Sequence, residues 1–438
     1  MTGVLRGARG DGETRFHVAV VGGGAAGIAA ALSAAARGAR VLLVEAAPAL
    51  GGNATGAFVH TLCGLYHPAD AGDARPANAG LPMRFAAGLR AAGGAGPPER
   101  AGRVWVVPTD PAVLGPYAAS LCEAQARLST RLECRVVAAD LAQTRAGASR
   151  LILEDAAGAT RAEVVADAVV DASGDGAVAA LAGAESERAS AEEIQLPSYI
   201  ARLAGVPAED RAGFGRLRLA LSLHDATRKR ELSQGCESVL IRGAPGSEDA
   251  FLTLNLARAE VGDLADPDAR RAACARARKS VEEIVAYLRA TRPGYASCRV
   301  VAWPRQLGVR EGRRLRGRAV LDAEAILSGR RDADEVALSG WPIELWHDHR
   351  RALMRYPAGA CGIPLGCLVS RSHPRLGMAG RCISASHEAL GALRVLGTAL
   401  ATGEAIGLAA ALAAERGCAL GEIDAALVRA AQEASGQP

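Results

Sequence analysis

The residues best placed to do chemistry lie near the start of the chain. Val18 to Val21 is an apolar run, and Gly22-Gly23-Gly24-Ala25-Ala26-Gly27 follows it directly. An alanine-rich stretch then leads to a second apolar run, Val41 to Val44, closed by Glu45. Strand, glycine turn, helix, parallel strand and acid, in this register, make a dinucleotide-binding unit. Gly22 permits the sharp turn. Gly24 lets the backbone approach a pyrophosphate resting on the helix N-terminus, and Gly27 allows helix and strand to pack closely. Glu45 is placed to accept both hydroxyls of an adenosine ribose.

Bulk properties narrow what surrounds this unit. A chain of 438 residues has room for two or three structural units. Half of it is hydrophobic but only 3% is aromatic, so its cores must rest on Ala, Val and Leu. A net charge of +4 is too mild to argue for nucleic acid. The arginine run Arg305, Arg310, Arg313, Arg314, Arg316 and Arg318 carries no interleaved aromatics, so it gives no nucleic-acid signature either. No uncharged apolar stretch reaches the ~20 residues of a membrane span. Ten cysteines without a CxxC pair point to reduced thiols and a cytoplasmic protein. His347 and His349 have HxH spacing but no further ligand nearby, so no metal site is expected.

The elements that position the glycine turn follow from pattern. Residues 1–15 are polar and lack an apolar core, as in a flexible leader. A first domain spans 16–185. Within it the spacing predicts a helix near 82–92, a strand at 104–107, and a helix capped by Asp110 with Pro111 in its first turn. Strands at 132–141, 149–154 and 161–165 read as a meander, and the apolar run Ala168 to Asp171 as a further strand ending in Ser173-Gly174-Asp175-Gly176. Residues 186–356 carry more charge and two long polar helices, 209–230 and 267–291, and read as an inserted α+β cap. The first domain resumes over 357–438 with a long helix, 391–415. The fold class is α/β: a three-layer Rossmann-type domain bearing that cap.

Four blocks together resemble the FAD-dependent oxidoreductases of the glutathione-reductase-like Rossmann superfamily. They are VVGGGAAGIAAALSAAARGARVLLVEAAPALGGNAT, ADAVVDASGDGAVAALAGA, LGVREGRRLRGRAVLDAEAIL and LGMAGRCISASHEALGALRVLGTALATGEAIGLAAALA. The resemblance implies FAD, held by Gly22, Gly24, Ala25, Ala26, Gly27 and Glu45. It implies that Gly51 and Gly52, with Asn53 beside them, pass the ribityl chain, and that Val136 or Val137 meets the adenine edge. Ser173, Gly174 and Asp175 would close over the pyrophosphate, with Gly380 and Arg381 nearby. The helix opening near Gly397 would aim its N–H groups at the flavin N1/C2=O edge, where reduced flavin carries charge.

The same resemblance places His60 and Cys63 beside the isoalloxazine ring, as a flavin contact, a covalent attachment point or a proton shuttle. Their other reading is a hydrogen-bonded histidine and a buried thiol lining a loop. His387 becomes a proton donor or anion anchor, or else a polar cap on the next helix. Arg310 and Arg394 become anion anchors, although Arg394 could equally pair with Glu388 at the surface. The chain shows no second strand-GxGxxG-helix-acid unit for a nicotinamide cofactor. The implied activity is two-electron exchange between flavin N5 and a small organic substrate, with oxygen, a quinone or a redox protein as separate acceptor. Two alternatives stand: a flavin monooxygenase, whose second motif is only partly matched by Ser173-Gly174-Asp175-Gly176-Ala177, and a non-catalytic FAD-holding subunit of a larger complex.

Overall fold

The computed structural model describes residues 15–68, 72–143 and 147–436. Most of the leader expected over 1–15 lies outside these residues, and Arg15 already opens the first strand. That strand, β1 (Arg15–Val21), passes through the glycine turn into α1 (Ala25–Ala36) and returns as β2 (Val41–Val44). Next in the sheet come β3 (Leu128–Arg131), β4 (Cys134–Asp140), β5 (Ser149–Asp155) and β6 (Arg161–Asp171). Strand order is β3-β2-β1-β6-β5-β4, parallel from β3 to β6 and antiparallel from β6 to β4. The two strands expected at 161–165 and 168–171 are one continuous strand. The first part of β6 pairs with β5 in the meander, and its last part stays in the parallel sheet beside β1.

The inserted unit is a four-stranded antiparallel sheet of β7 (Ser198–Ala204), β8 (Val239–Gly243), β9 (Ala250–Asn255) and β10 (Arg299–Ala302), in the order β8-β9-β7-β10. Two helices, α2 (Gly213–Arg228) and α3 (Pro267–Thr291), cover one face of it. Period-two alternation divides β7 between two environments. Tyr199, Ala201 and Leu203 pack under the helices, whereas Ser198, Ile200 and Arg202 face the first domain. Arg202 crosses the seam to Asp110, at 3.0 Å, so the predicted helix cap also anchors the insert.

The insert's core runs from Leu196 to Val309. Leu321, Ile326, Val336, Ile343 and Leu345, expected in the cap, pack into the first domain's core instead, because the strands at 335–339 and 343–348 lie against the returning chain. That return supplies β11 (Leu376–Met378), which extends the parallel sheet beside β6, and then α4 (His387–Leu393) and α5 (Leu396–Arg416). The single helix expected at 391–415 is therefore two, broken at Arg394 and Val395.

Both faces of the parallel sheet are covered at its centre, which is why β2 and the last residues of β1 are apolar while the edge strand β3 is not. Val18, Val20, Val41 and Leu43 face α1 and α5, while Ala19, Val21, Leu42 and Val44 face the meander layer. Helices α1 and α5 meet through alanine and glycine. A Cβ at Gly403 would overlap the Ala26 carbonyl, and one at Gly407 the Ala30 carbonyl. Gly403→Val is therefore expected to lower stability by about 1–3 kcal/mol through overpacking, measured by denaturant unfolding. Helix α5 is long and apolar enough to cross a membrane, but its most apolar stretch is 94% buried in this core.

Candidate active site

The glycine turn has the geometry its sequence requires. Gly22 has φ +105°, and a Cβ there would overlap the Ala172 carbonyl at the end of β6. At Gly27 a Cβ would overlap the Gly22 carbonyl, so this glycine sets the approach of α1 to β1. Gly24 differs from both. Its backbone is ordinary (φ −75°, ψ −177°), and the nearest atom to a Cβ there is the Gly52 Cα at 3.9 Å. The space over Gly24 is thus left open by the protein itself.

That space is a cavity of ≈ 390 Å³. Gly22, Gly24, Ala25 and Ala26 form its floor, with Glu45, Gly52 and Asn53 on one side. Ser173, Gly174 and Asp175 meet Gly380 and Arg381 on the other. Arg381 lies across Gly174, donating to its carbonyl at 3.3 Å, and sits 3.6 Å from Asp175. Arg270, on α3, reaches Asp175 at 2.8 Å and brings the insert to the cavity rim. Glu45 accepts from the Gly23 and Ala47 N–H groups at 2.6 and 2.7 Å, which fixes its carboxylate at the cavity edge. Glu45→Ala is expected to weaken FAD binding by about 1–3 kcal/mol, the range for a lost buried hydrogen-bonding group, measured by titrating apoprotein with FAD.

Some sequence-predicted residues act behind the cavities and do not line them. Gly51 donates its N–H to the Gly23 carbonyl at 2.8 Å and so ties the second glycine loop to the first. Gly397, in the first turn of α5, lets that turn approach the Cys63–Leu65 backbone, 2.6 Å from where its Cβ would be. Val137 sits at a register shift in β4 and lines neither cavity described here.

A second, larger cavity of ≈ 730 Å³ lies between the first domain and the inner face of the insert. It shares Asn53, Val309, Arg381, Arg394 and Leu396 with the first, so the two adjoin. His60, just before the strand Thr61–Cys63, and Cys63 at its end line it, as do Arg310 and Arg394. His60 is buried, stacked on Phe251 at 4.5 Å between ring centres, with its Nδ1 3.0 Å from the Phe58 carbonyl. A carbonyl can only accept, so Nδ1 carries the proton and Nε2 keeps its lone pair. Burial outweighs the Phe58 bond and, with Arg242 nearby, pushes the imidazole down to about 4. Burial pushes the Cys63 thiol up to about 12, so it stays protonated and is no thiolate nucleophile.

Arg310 stacks over Trp346 at 4.4 Å and donates to the Leu196 carbonyl and, at 2.9 Å, to the Asn255 side chain. Arg394 does not pair with Glu388, which instead lies 3.8 Å from Arg355. It donates to the Glu344 carbonyl at 3.1 Å, and its Nε is buried without a partner. Glu344 is the acid that the sequence reading missed. It accepts from the Trp341 and Trp346 indoles at 2.9 and 2.6 Å. Burial favours its neutral form, but Arg394, the indole donors and Arg310 together hold the carboxyl below its ordinary range.

His387 lies elsewhere than expected. Its Nδ1 is 2.9 Å from the fully buried Glu311, which also meets Arg314, and it lines neither cavity described here. Of the other arginines in that block, Arg313 donates to the Asp175 carbonyl at 3.0 Å and Arg316 pairs with Glu187 at 2.7 Å. His349 pairs with Glu237 at 3.0 Å, and no cluster of three metal-ligating groups occurs among the described residues.

An open glycine cradle at a helix N-terminus, an acid fixed at its edge and an adjoining cavity under a second domain fit a dinucleotide site beside a ligand cavity. Residues 17–433 match the family described as FAD dependent oxidoreductase, and the chain belongs to that family. Its cofactor is FAD, and the cradle fits that group because the space a Cβ at Gly24 would fill is empty of protein atoms. No curated protein is significantly similar to the chain. Among solved structures, p-nitrophenol 4-monooxygenase from Pseudomonas putida DLL-E4 is similar at 13% identity, covering 98% of this chain and 91% of that one, with a TM-score of 0.48. A geranylgeranyl bacteriochlorophyll reductase-like protein from Thermoplasma acidophilum is similar at 12% identity, covering 97% and 83%, with a TM-score of 0.47.

Proposed function

We propose that the protein is a dehydrogenase or oxidase that moves two electrons between a small organic substrate and FAD. The observation that carries this reading is the convergence of His60, Arg310 and Arg394 on one cavity that adjoins the nucleotide cradle. Bound FAD supplies the hydride acceptor, at N5. His60, neutral with a free Nε2, takes the proton that leaves a substrate O–H or N–H as its carbon is oxidised. Arg310 and Arg394 orient the substrate through an anionic group. The first turn of α5, whose Leu396 lines both cavities, would offer its N–H groups to the charge that develops on reduced flavin. His387, held by Glu311, lines neither cavity and takes no part in this reaction. Oxygen, a quinone or a redox protein receives the electrons. The cytoplasmic reading rests on ten cysteines, none in a disulfide.

The test is anaerobic mixing of the holoprotein with a panel of organic acids, alcohols and amines, without nicotinamide cofactors. A compound that bleaches the flavin and leaves oxidised product is the expected result. Bleaching by a reduced nicotinamide alone, followed by oxygen uptake matched to hydroxylated product, would replace this reading with a monooxygenase. Bleaching by none of them would favour a non-catalytic subunit.

A further inference from the structure

The larger cavity is built from two unlike halves. Its inner part is cationic. Arg310 and Arg394 enter from the first domain's side, and Arg242, on β8, enters from the insert, close enough to His60 and Cys63 to act on both electrostatically. Among the described residues Glu344 is the one carboxylate lining it, and two indole N–H groups and the Arg394 guanidinium, 3.9 Å away, already face that group. Arg242 has only Glu99 at 3.4 Å, itself largely exposed, and Arg216 has no carboxylate partner among the described residues. The buried Arg394 Nε has no acceptor. Guanidinium groups in such surplus call for an anion from outside the chain.

The mouth is apolar. Phe214 and Leu217, three residues apart on α2, line the same cavity although 86% and 53% exposed. Leu240 on β8 joins them, 52% exposed, and Leu221 continues the stripe along α2. Large apolar side chains left in water at the rim of a charged cavity mark a binding surface.

We propose that the substrate is an amphipathic acid, its carboxylate held by Arg242 and Arg394 and its apolar chain laid against Phe214, Leu217 and Leu240. This rests on the larger cavity being the substrate site. It narrows the substrate class to molecules with an anionic head and an apolar body, and it makes Arg242 a substrate-binding residue.

The test uses the FAD-loaded protein and the flavin difference spectrum. Decanoate, hexanoate, succinate and decylamine are titrated below their micellar concentrations. Decanoate is expected to perturb the flavin and to bind at least about tenfold more tightly than hexanoate, since each buried methylene favours association. Arg242→Gln should weaken decanoate by about tenfold or more. The double variant Phe214→Ser, Leu217→Ser should bring decanoate and hexanoate together without changing flavin content. Succinate or decylamine binding as tightly as decanoate would overturn the proposal, as would decanoate without effect on a flavin that another compound bleaches. A flavin that no compound bleaches, in a protein that still binds decanoate, would uphold the acid site and overturn the dehydrogenase or oxidase reading.

Discussion

Gly24→Val is expected to give a folded protein that cannot retain FAD. Gly24 adopts an extended conformation open to any L residue, and a Cβ there touches nothing closer than 3.9 Å. The Cβ is therefore accommodated by the protein, and the side chain is opposed by what must occupy the space above it. Loss of affinity should exceed about 100-fold, or about 2.7 kcal/mol, because the pyrophosphate needs close contact with this backbone. The melting temperature of the variant apoprotein should match that of wild-type apoprotein. Gly27→Val is the control, since its side chain would meet the Gly22 carbonyl. That variant should lose stability and flavin together. Purification of both, with flavin content and unfolding measured side by side, separates a ligand role from a packing role.

His60→Ala should keep its flavin and lose turnover by about 100-fold or more, the usual contribution of a positioned acid–base group. The wild-type imidazole needs its lone pair, so activity should fall with acid only as pH approaches about 4. The variant should lack that acid limb, a difference that a purely structural histidine would not produce. The same residue shapes stability. Between an ordinary 6.5 and about 4, the unfolded chain takes up a proton that the folded protein refuses. Its stabilising effect is complete above 6.5 and is lost as pH falls through that window, on the order of 3 kcal/mol. Unfolding of wild type and His60→Ala at pH 7 and pH 4.5 measures it. Equal acid sensitivity in the two would contradict the buried neutral imidazole.

The features legible in the sequence were those fixed by short-range spacing. Gly22, Gly24, Gly27 and Glu45 lie within one strand–turn–helix–strand unit, so local pattern alone sets their geometry. The long insert helices were legible too, at 267–291 nearly to the residue, because Asp266 and Pro267 mark the start. What escaped depended on contacts far along the chain. Glu344 and Arg242 gain meaning only when a strand at 343–348 and β8 face the loop carrying His60. His387 was drawn from the cavity by Glu311, 76 residues away, which no periodicity announces. The fusion of 161–165 with 168–171 was hidden because one strand serves two sheet regions, with half-exposed residues in the first and buried ones in the second.

FAD seated in the Gly22–Gly27 cradle is tested by the visible spectrum of the purified protein, taken before and after acid precipitation and repeated on Gly24→Val. Flavin absorption is expected in wild type, with FAD in the supernatant after acid and no flavin in the variant. A colourless wild-type protein that FAD cannot reconstitute, or a variant as yellow as wild type, would contradict it.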